Sequence, residues 1–290
     1  RMKSKKNTFV SRAAVGCVTT AIFLLLCIIK GIYPFGIATL DTVDFQSQWI
    51  PAYYHVWDVL HGDGSAFFDW RVGGGNNFAG GSAQFSLFSP FNLFFLFVKR
   101  SWIEKSMIVF IIIKLLAMGY GMRWFLKEQI LKEERYGIYI LAGSVGYAVN
   151  GYTLLYYGMG WLDVAAILPL LCYFFCRMAE REGDWRLGKN TLGYIVCLTL
   201  VFLINIPQAY MMCFFLIVFA GGYFFLNRQD QPLKKNSILK FGLTSLLSLG
   251  IAAVIFLPAA RAMLGSYRLS GEEYRGISGY FLLLRQDGMD

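Results

Sequence analysis

Histidine is nearly missing from this chain, with two residues in 290, His55 and His61. That scarcity all but excludes a histidine-built metal site and a Ser-His-Asp type triad. Charge is sparse as well, at 16% of residues against 57% hydrophobic ones. A soluble fold of this length cannot hide so much apolar surface in one core. Cysteine is absent from the polar segments. Cys17, Cys27, Cys172, Cys176, Cys197 and Cys213 all fall inside apolar runs, which argues against disulfides and zinc. Cys172 and Cys176 share a helix face and read as packing residues.

What the chain does contain is a series of long apolar runs, such as "AAVGCVTTAIFLLLCII" and "SMIVFIIIKLLAMGYGM". These approach the roughly 20 residues a helix needs to cross a bilayer. Seven crossing candidates result, at about 13–36, 106–126, 136–153, 162–178, 191–206, 208–226 and 239–258. The fold class is therefore an all-α polytopic membrane protein with the lipid bilayer as its first partner. The first run is too long for the apolar part of a signal peptide and has no small-residue cleavage site after it, so it reads as a retained anchor.

The net charge of +9 does not point to nucleic acid, because the basic residues form short clusters between apolar runs rather than one stripe. "RMKSKK", "LKEQILKEER", "RMAEREGDWRLGKN" and "NRQDQPLKKN" are basic, whereas "LLYYGMGW" and "INIPQAY" are not. The positive-inside bias then puts the N-terminus and the four basic segments in the cytoplasm of a cell-membrane protein. Segment 38–105 and everything after Pro258 fall outside. Residues 1–290 read as a single transmembrane domain, the N-terminal portion of a longer protein.

Segment 38–105 is long for a connection, and loops of that length are functional or disordered. Its Trp, Phe and Tyr content argues against disorder. From Asp44 to His61 the residues Phe45, Trp49, Tyr53, Val56 and Leu60 recur at helical spacing, with Asp44, Gln48, Pro51, His55 and Asp58 opposite. This pattern predicts an amphipathic interfacial helix with its aromatic side on the membrane, and Pro51 as a kink site. Its polar side would display Asp41, Asp44, Gln48 and His55 together. "WRVGGGNNFAGG", which carries Asn76 and Asn77, permits close backbone approach to an anion. It lacks the lysine and the strand-to-helix setting of a P-loop, so a plain turn is an equal reading. "SPFNLFFLFV" is too short to span and predicts a re-entrant or interfacial helix beginning near Pro90.

Asp44 followed by Gln48-Trp49, then "GGGNNFAGG" and "SPFNL", resembles the opening of the YfhO family of bacterial membrane proteins. "WLDVAAILPLL", "NIPQAYMM" and "FLPAARAMLGSYR" extend the resemblance over nearly the whole chain. Gln84-Phe85 departs from it, where a pair of tyrosines is expected. The resemblance implies a GT-C type glycosyltransferase. Such an enzyme moves a sugar from a polyprenyl-phosphate donor to a cell-envelope glycopolymer, teichoic-acid-like, on the outer face. It also implies an essential acid near the end of the first helix.

On that reading Asp44 is the catalytic base and Asp41 its helper or a metal-binding acid. The competing reading has both acids capping the helix start. A divalent cation, Mg or Mn, is left open as cofactor. Lys114 sits inside the second span, where charge is costly. It either meets the donor phosphate or pairs with Asp163. Asp163 in turn either lines the site or caps its helix. Gln48, His55, Asn76, Asn77, Asn205 and Arg261 complete the substrate-binding candidates, each with an ordinary interfacial or capping role as the alternative. Lys30 snorkels. The alternative functions are a transporter or flippase for a lipid-linked saccharide and a non-catalytic envelope assembly protein.

Overall fold

The computed structural model describes residues 2–40, 44–72, 74–78, 86–182, 187–227 and 235–264. Asp41, Gln84 and Phe85, together with the segment after residue 264, lie outside the described residues. Helices stand at all seven expected positions. Five are long and apolar enough to cross a membrane, within Arg100–Ile130, Gly137–Leu155, Trp161–Arg181, Ile206–Leu226 and Asn236–Ala259. Two shorter apolar helices, Ala13–Ile29 and Lys189–Ile204, occupy the remaining positions.

The first helix, α1, runs Met2–Ile29 and stops short of the expected residue 36. Gly31 ends it at φ +60, a conformation only glycine adopts without strain. Gly31 N donates to Ile28 O and Ile32 N to Cys27 O, the paired bonds of a Schellman stop. The chain then doubles back, with Ala38 N on Gly31 O at 2.9 Å. A side chain at Gly36 would collide with the Gly31 backbone, so Gly36 permits the tight return.

The predicted amphipathic helix exists in two parts, a π turn Phe45–Trp49 followed by α2, Ile50–Leu60. Pro51 falls in the first turn of α2. Its missing N–H is one that the α ladder can spare there, and the wider turn precedes it. Phe45, Trp49, Tyr53 and Val56 are buried, as the spacing predicts. However, they bury against protein rather than lipid. Phe45 meets Tyr157, Trp49 meets Trp161, and Tyr53 meets both Phe95 and Phe110 with centroids 5.3 Å apart. The helix is thus docked on the bundle by its aromatic face.

After α2 the chain forms a small antiparallel hairpin, β1 (Phe68–Asp69) with β2 (Asn76–Asn77). Pro90–Phe97 follows as a 3-10 helix whose cap, Ser89 Oγ, accepts from Phe91 N. The bundle helices come next: α3 Ile103–Phe125, α4 Gly137–Ala148, the short α5 Gly151–Leu155, α6 Trp161–Arg181, α7 Lys189–Ile204, α8 Ile206–Leu226 and α9 Lys235–Leu264. Helix α3 packs against α1, α4 and α6, while α7 packs against α6 and α9. One apolar core joins α1 to α4 with the docked helix. A second joins α6 to α9, with Cys172, Cys176 and Cys197 buried in it as free thiols.

At the basic end, the Glu182 carboxylate accepts from Asn190 N and Thr191 N at 3.1 and 2.9 Å and from both their side chains. It thereby satisfies the open N–H groups where α7 begins. Burial alone would raise the Glu182 carboxyl, but these donors outweigh it and hold it below its ordinary value.

Candidate active site

Asp44 stands at the N-cap position of the π turn, exposed, and its side chain makes no capping hydrogen bond. Its backbone does the capping instead, with the Asp44 carbonyl accepting from Gln48 N at 2.9 Å. The carboxylate is therefore held on an ordered backbone but left open to solvent. Gln48, one turn on, is exposed as well. Phe45 and Gln46, the next residues after Asp44, line a cavity of about 330 Å³. The 32–40 stretch after α1 (Ile32, Ala38 and Leu40 among its lining residues), Ile50 of α2, and Glu104, Lys105, Met107 and Ile108 of α3 complete its wall.

His55 does not join Asp44 and Gln48. It is buried, its Nε2 lies 3.1 Å from Ser65 O, and its ring packs on Phe78. A carbonyl only accepts, so Nε2 carries the proton in this contact. The chain from His61 to Phe78 folds back over the second half of α2 and covers the face that periodicity alone leaves open. Asn76 and Asn77 belong to this returning strand, in register with Asp69 and Phe68.

The same fold-back assembles a charge cluster of which helical periodicity gives no sign. Arg100 forks onto Asp58, with Nε 2.8 Å from Oδ1 and Nη2 3.2 Å from Oδ2. Arg71 binds Asp69 through Nε and Nη2 at 3.1 and 2.8 Å, and reaches Asp58 at 3.6 Å. Hydrogen bonds from the Arg71 side chain and backbone and from Ser65 N hold the Asp69 carboxyl well below its ordinary range. The spacing marks Asp58 as a polar-face residue, but nothing in it marks Asp69, Arg71 and Arg100 as its partners.

Lys114 and Asp163 have each other. Lys114 Nζ lies 2.7 Å from Asp163 Oδ1, and the two side chains are 0% and 1% exposed. Nζ also donates to the Tyr53 hydroxyl at 3.3 Å, and that hydroxyl donates to Gly158 O at 2.8 Å. Burial and the nearby Asp163 charge keep the Tyr53 phenol well above its ordinary value, so it stays a neutral donor. Of the two readings of Lys114, donor phosphate or Asp163, the structure shows the pairing with Asp163. A lysine costs too much to bury alone in a membrane span, and the partner that offsets the cost also withdraws it from any ligand.

Gly158 and Gly160 belong to the same arrangement. A methyl group at Gly158 would overlap the Phe45 ring, and one at Gly160 would overlap Ser86 and sit 2.9 Å from the Trp49 ring. The glycines let the docked helix approach. Asn205 is buried, and its Oδ1 accepts from Gln208 N at 3.0 Å as the N-cap of α8. Arg261 is exposed near the end of α9. Neither lines the cavity beside Asp44. Among the described residues no three His, Cys, Asp or Glu side chains converge as a metal site.

The helices and their buried charge define a polytopic α-helical membrane protein. The chain belongs to the YfhO family: the family model for the bacterial membrane protein YfhO matches residues 16–285. No curated protein and no solved structure matches it.

Proposed function

We propose that this YfhO-family protein is a GT-C type glycosyltransferase, with Asp44 as its general base. The donor is a polyprenyl-phosphate-linked sugar and the acceptor a glycopolymer of the cell envelope. The observation that carries this reading is an exposed carboxylate with no capping hydrogen bond, whose next two residues, Phe45 and Gln46, line a cavity at the ends of α1 and α3. The basic segments face the cytoplasm and the Asp44 end faces outward, following the charge bias.

The chemistry needs little from the protein. Asp44 takes the proton from an acceptor hydroxyl as its oxygen attacks the anomeric carbon. The new C–O bond forms as the bond to the phosphate oxygen breaks, with inversion. The electron pair leaves on the prenyl phosphate, which needs no protonation to depart. One carboxylate is enough, unlike the paired acids of glycoside hydrolases. A divalent cation would require ligands around Asp44. Among the described residues no three His, Cys, Asp or Glu side chains converge there, and Asp41, the other acid of the pair, lies outside them.

A transporter reading leans on the intramembrane charges, and these are spent on each other in the Lys114–Asp163 pair. The deciding experiment is transfer of labelled sugar from prenyl-phosphate donor to acceptor by purified protein in nanodiscs. Asp44→Asn should lose about a hundredfold or more in rate, as loss of a general base does, with donor binding unchanged. Full transfer by Asp44→Asn would refute the mechanism.

A further inference from the structure

With Lys114 sequestered, a cation for the donor phosphate has to come from elsewhere. Arg100 and Arg71 are committed to Asp58 and Asp69. Among the described residues that line the cavity beside Asp44, Lys105 is the one cation. It is exposed on the first turn of α3, with Nζ 5.3 Å from the centroid of the Trp102 ring. No carboxylate among the described residues pairs with it. An ammonium resting on an indole is weakly held and exchanges readily for a phosphate, because a charge-assisted hydrogen bond is the stronger contact.

The remaining wall suits a lipid phosphate rather than a soluble one. Ile32, Ala38, Leu40, Ile50, Met107 and Ile108 make it predominantly apolar. A volume of about 330 Å³ is at the small end for ligand sites. It accommodates a phosphate and the first prenyl unit, while the rest of the chain runs out among membrane lipids. Glu104 also lines the cavity and would repel an anion. Its Oε1 accepts from the Tyr54 hydroxyl at 3.1 Å, which draws the carboxylate toward α2.

We propose that Lys105 and the apolar wall between α1 and α3 form the binding site for the phosphate and first prenyl unit of a lipid-linked donor. This rests on the transferase reading for the identity of the donor, but binding is measured without catalysis. The test uses the protein in phosphatidylcholine nanodiscs, titrated with a short prenyl monophosphate, the corresponding prenol, and inorganic phosphate.

The monophosphate should bind, and Lys105→Ala should weaken it about tenfold to a hundredfold, the worth of one hydrogen bond to a charged group. Lys105→Arg should retain most of the affinity. Prenol should bind more weakly than the monophosphate and be indifferent to Lys105→Ala. Ala38→Trp, which fills the cavity, should weaken both ligands. Equal monophosphate binding by wild type and Lys105→Ala would overturn the site. So would equal affinities for prenol and monophosphate, or competition by inorganic phosphate as strong as by the prenyl compound. If Asp44→Asn transfers sugar normally while Lys105→Ala loses the phosphate, the catalytic reading falls and the binding site stands.

Discussion

Helix α2 is fastened on two sides by opposite means. On one side Tyr53 joins a dry group, where Lys114 and Asp163 pair with almost no exposure and the phenol bridges to Gly158 O. On the other, Asp58 is forked by Arg100, and the returning chain adds Arg71 and Asp69, with both arginines 53% exposed. Coulomb attraction is screened on the wet side and barely at all on the dry one. The dry pair therefore behaves as an all-or-nothing lock, since either member alone is an uncompensated buried charge. The wet cluster is a graded restraint, since its arginines reach solvent even though the Asp58 and Asp69 carboxylates they hold are buried. One helix next to the proposed catalytic acid has both a fixed and an adjustable attachment.

The largest expected effect comes from halving the dry pair. Lys114→Met should cost about 3–5 kcal/mol, and pairing it with Asp163→Leu should recover most of that loss. Thermal unfolding in detergent at matched protein concentration checks this, and a double variant no better than the single would show that the charge pairing is not what matters. Next come the glycines under the docked helix. Gly158→Ala and Gly160→Ala should each cost about 1–3 kcal/mol through overlap with Phe45, Ser86 and Trp49.

On the wet side, Asp58→Asn should cost about 1–2 kcal/mol, because the carboxylate is buried but its arginine partners are half-exposed. That difference should shrink in molar salt, while the Lys114→Met deficit should not. A salt-independent Asp58 effect would erase the contrast between the two sides. The smallest effect is the response of the hairpin to pH. Asp69 has a depressed folded value, so its contribution is fully present above the unfolded value of about 4. It is lost as pH falls further, toward the folded value. Proteolytic protection of the 61–78 segment should hold from neutral pH to about 5 and weaken only below about 4. Loss of protection near pH 6 would assign the restraint to another group.

The helices are legible in the sequence because an apolar run of span length is hard to place anywhere except across a bilayer. The aromatic face of α2 is legible because 3.6-residue spacing survives docking. What that face meets is not legible. Lipid and a neighbouring protein surface select the same side chains, so Phe45, Trp49 and Tyr53 read identically in both cases. Periodicity groups His55 with Asp44 because it knows nothing of a chain that later folds back over half a helix. The Asp69–Arg71 pair is two residues apart in a turn, a spacing with no helical signature. The charges carry one further signal. Lys99, Arg100 and Lys105 are basic residues in a segment that the charge bias assigns to the outside. Such exceptions call for a local reason, which Asp58 supplies for Arg100.

The helix Pro90–Phe97 has a consequence of its own. With three residues per turn its side chains stand in three straight columns. Asn92 and Phe95 form the buried one, and Leu93 and Leu96 an exposed one. Phe91, Phe94 and Phe97 make a third that emerges gradually from cover. At about 2 Å rise per residue the eight residues reach about 16 Å, against about 12 Å as an α-helix. The segment therefore has a reading frame. Adding or removing one residue between Ser89 and Asn92 would turn every column by a third of a circle: a deletion drives Leu93 into the place of Asn92, and an insertion brings Phe94 into the place of Phe95. A change of three would leave each column facing as before and alter only the reach.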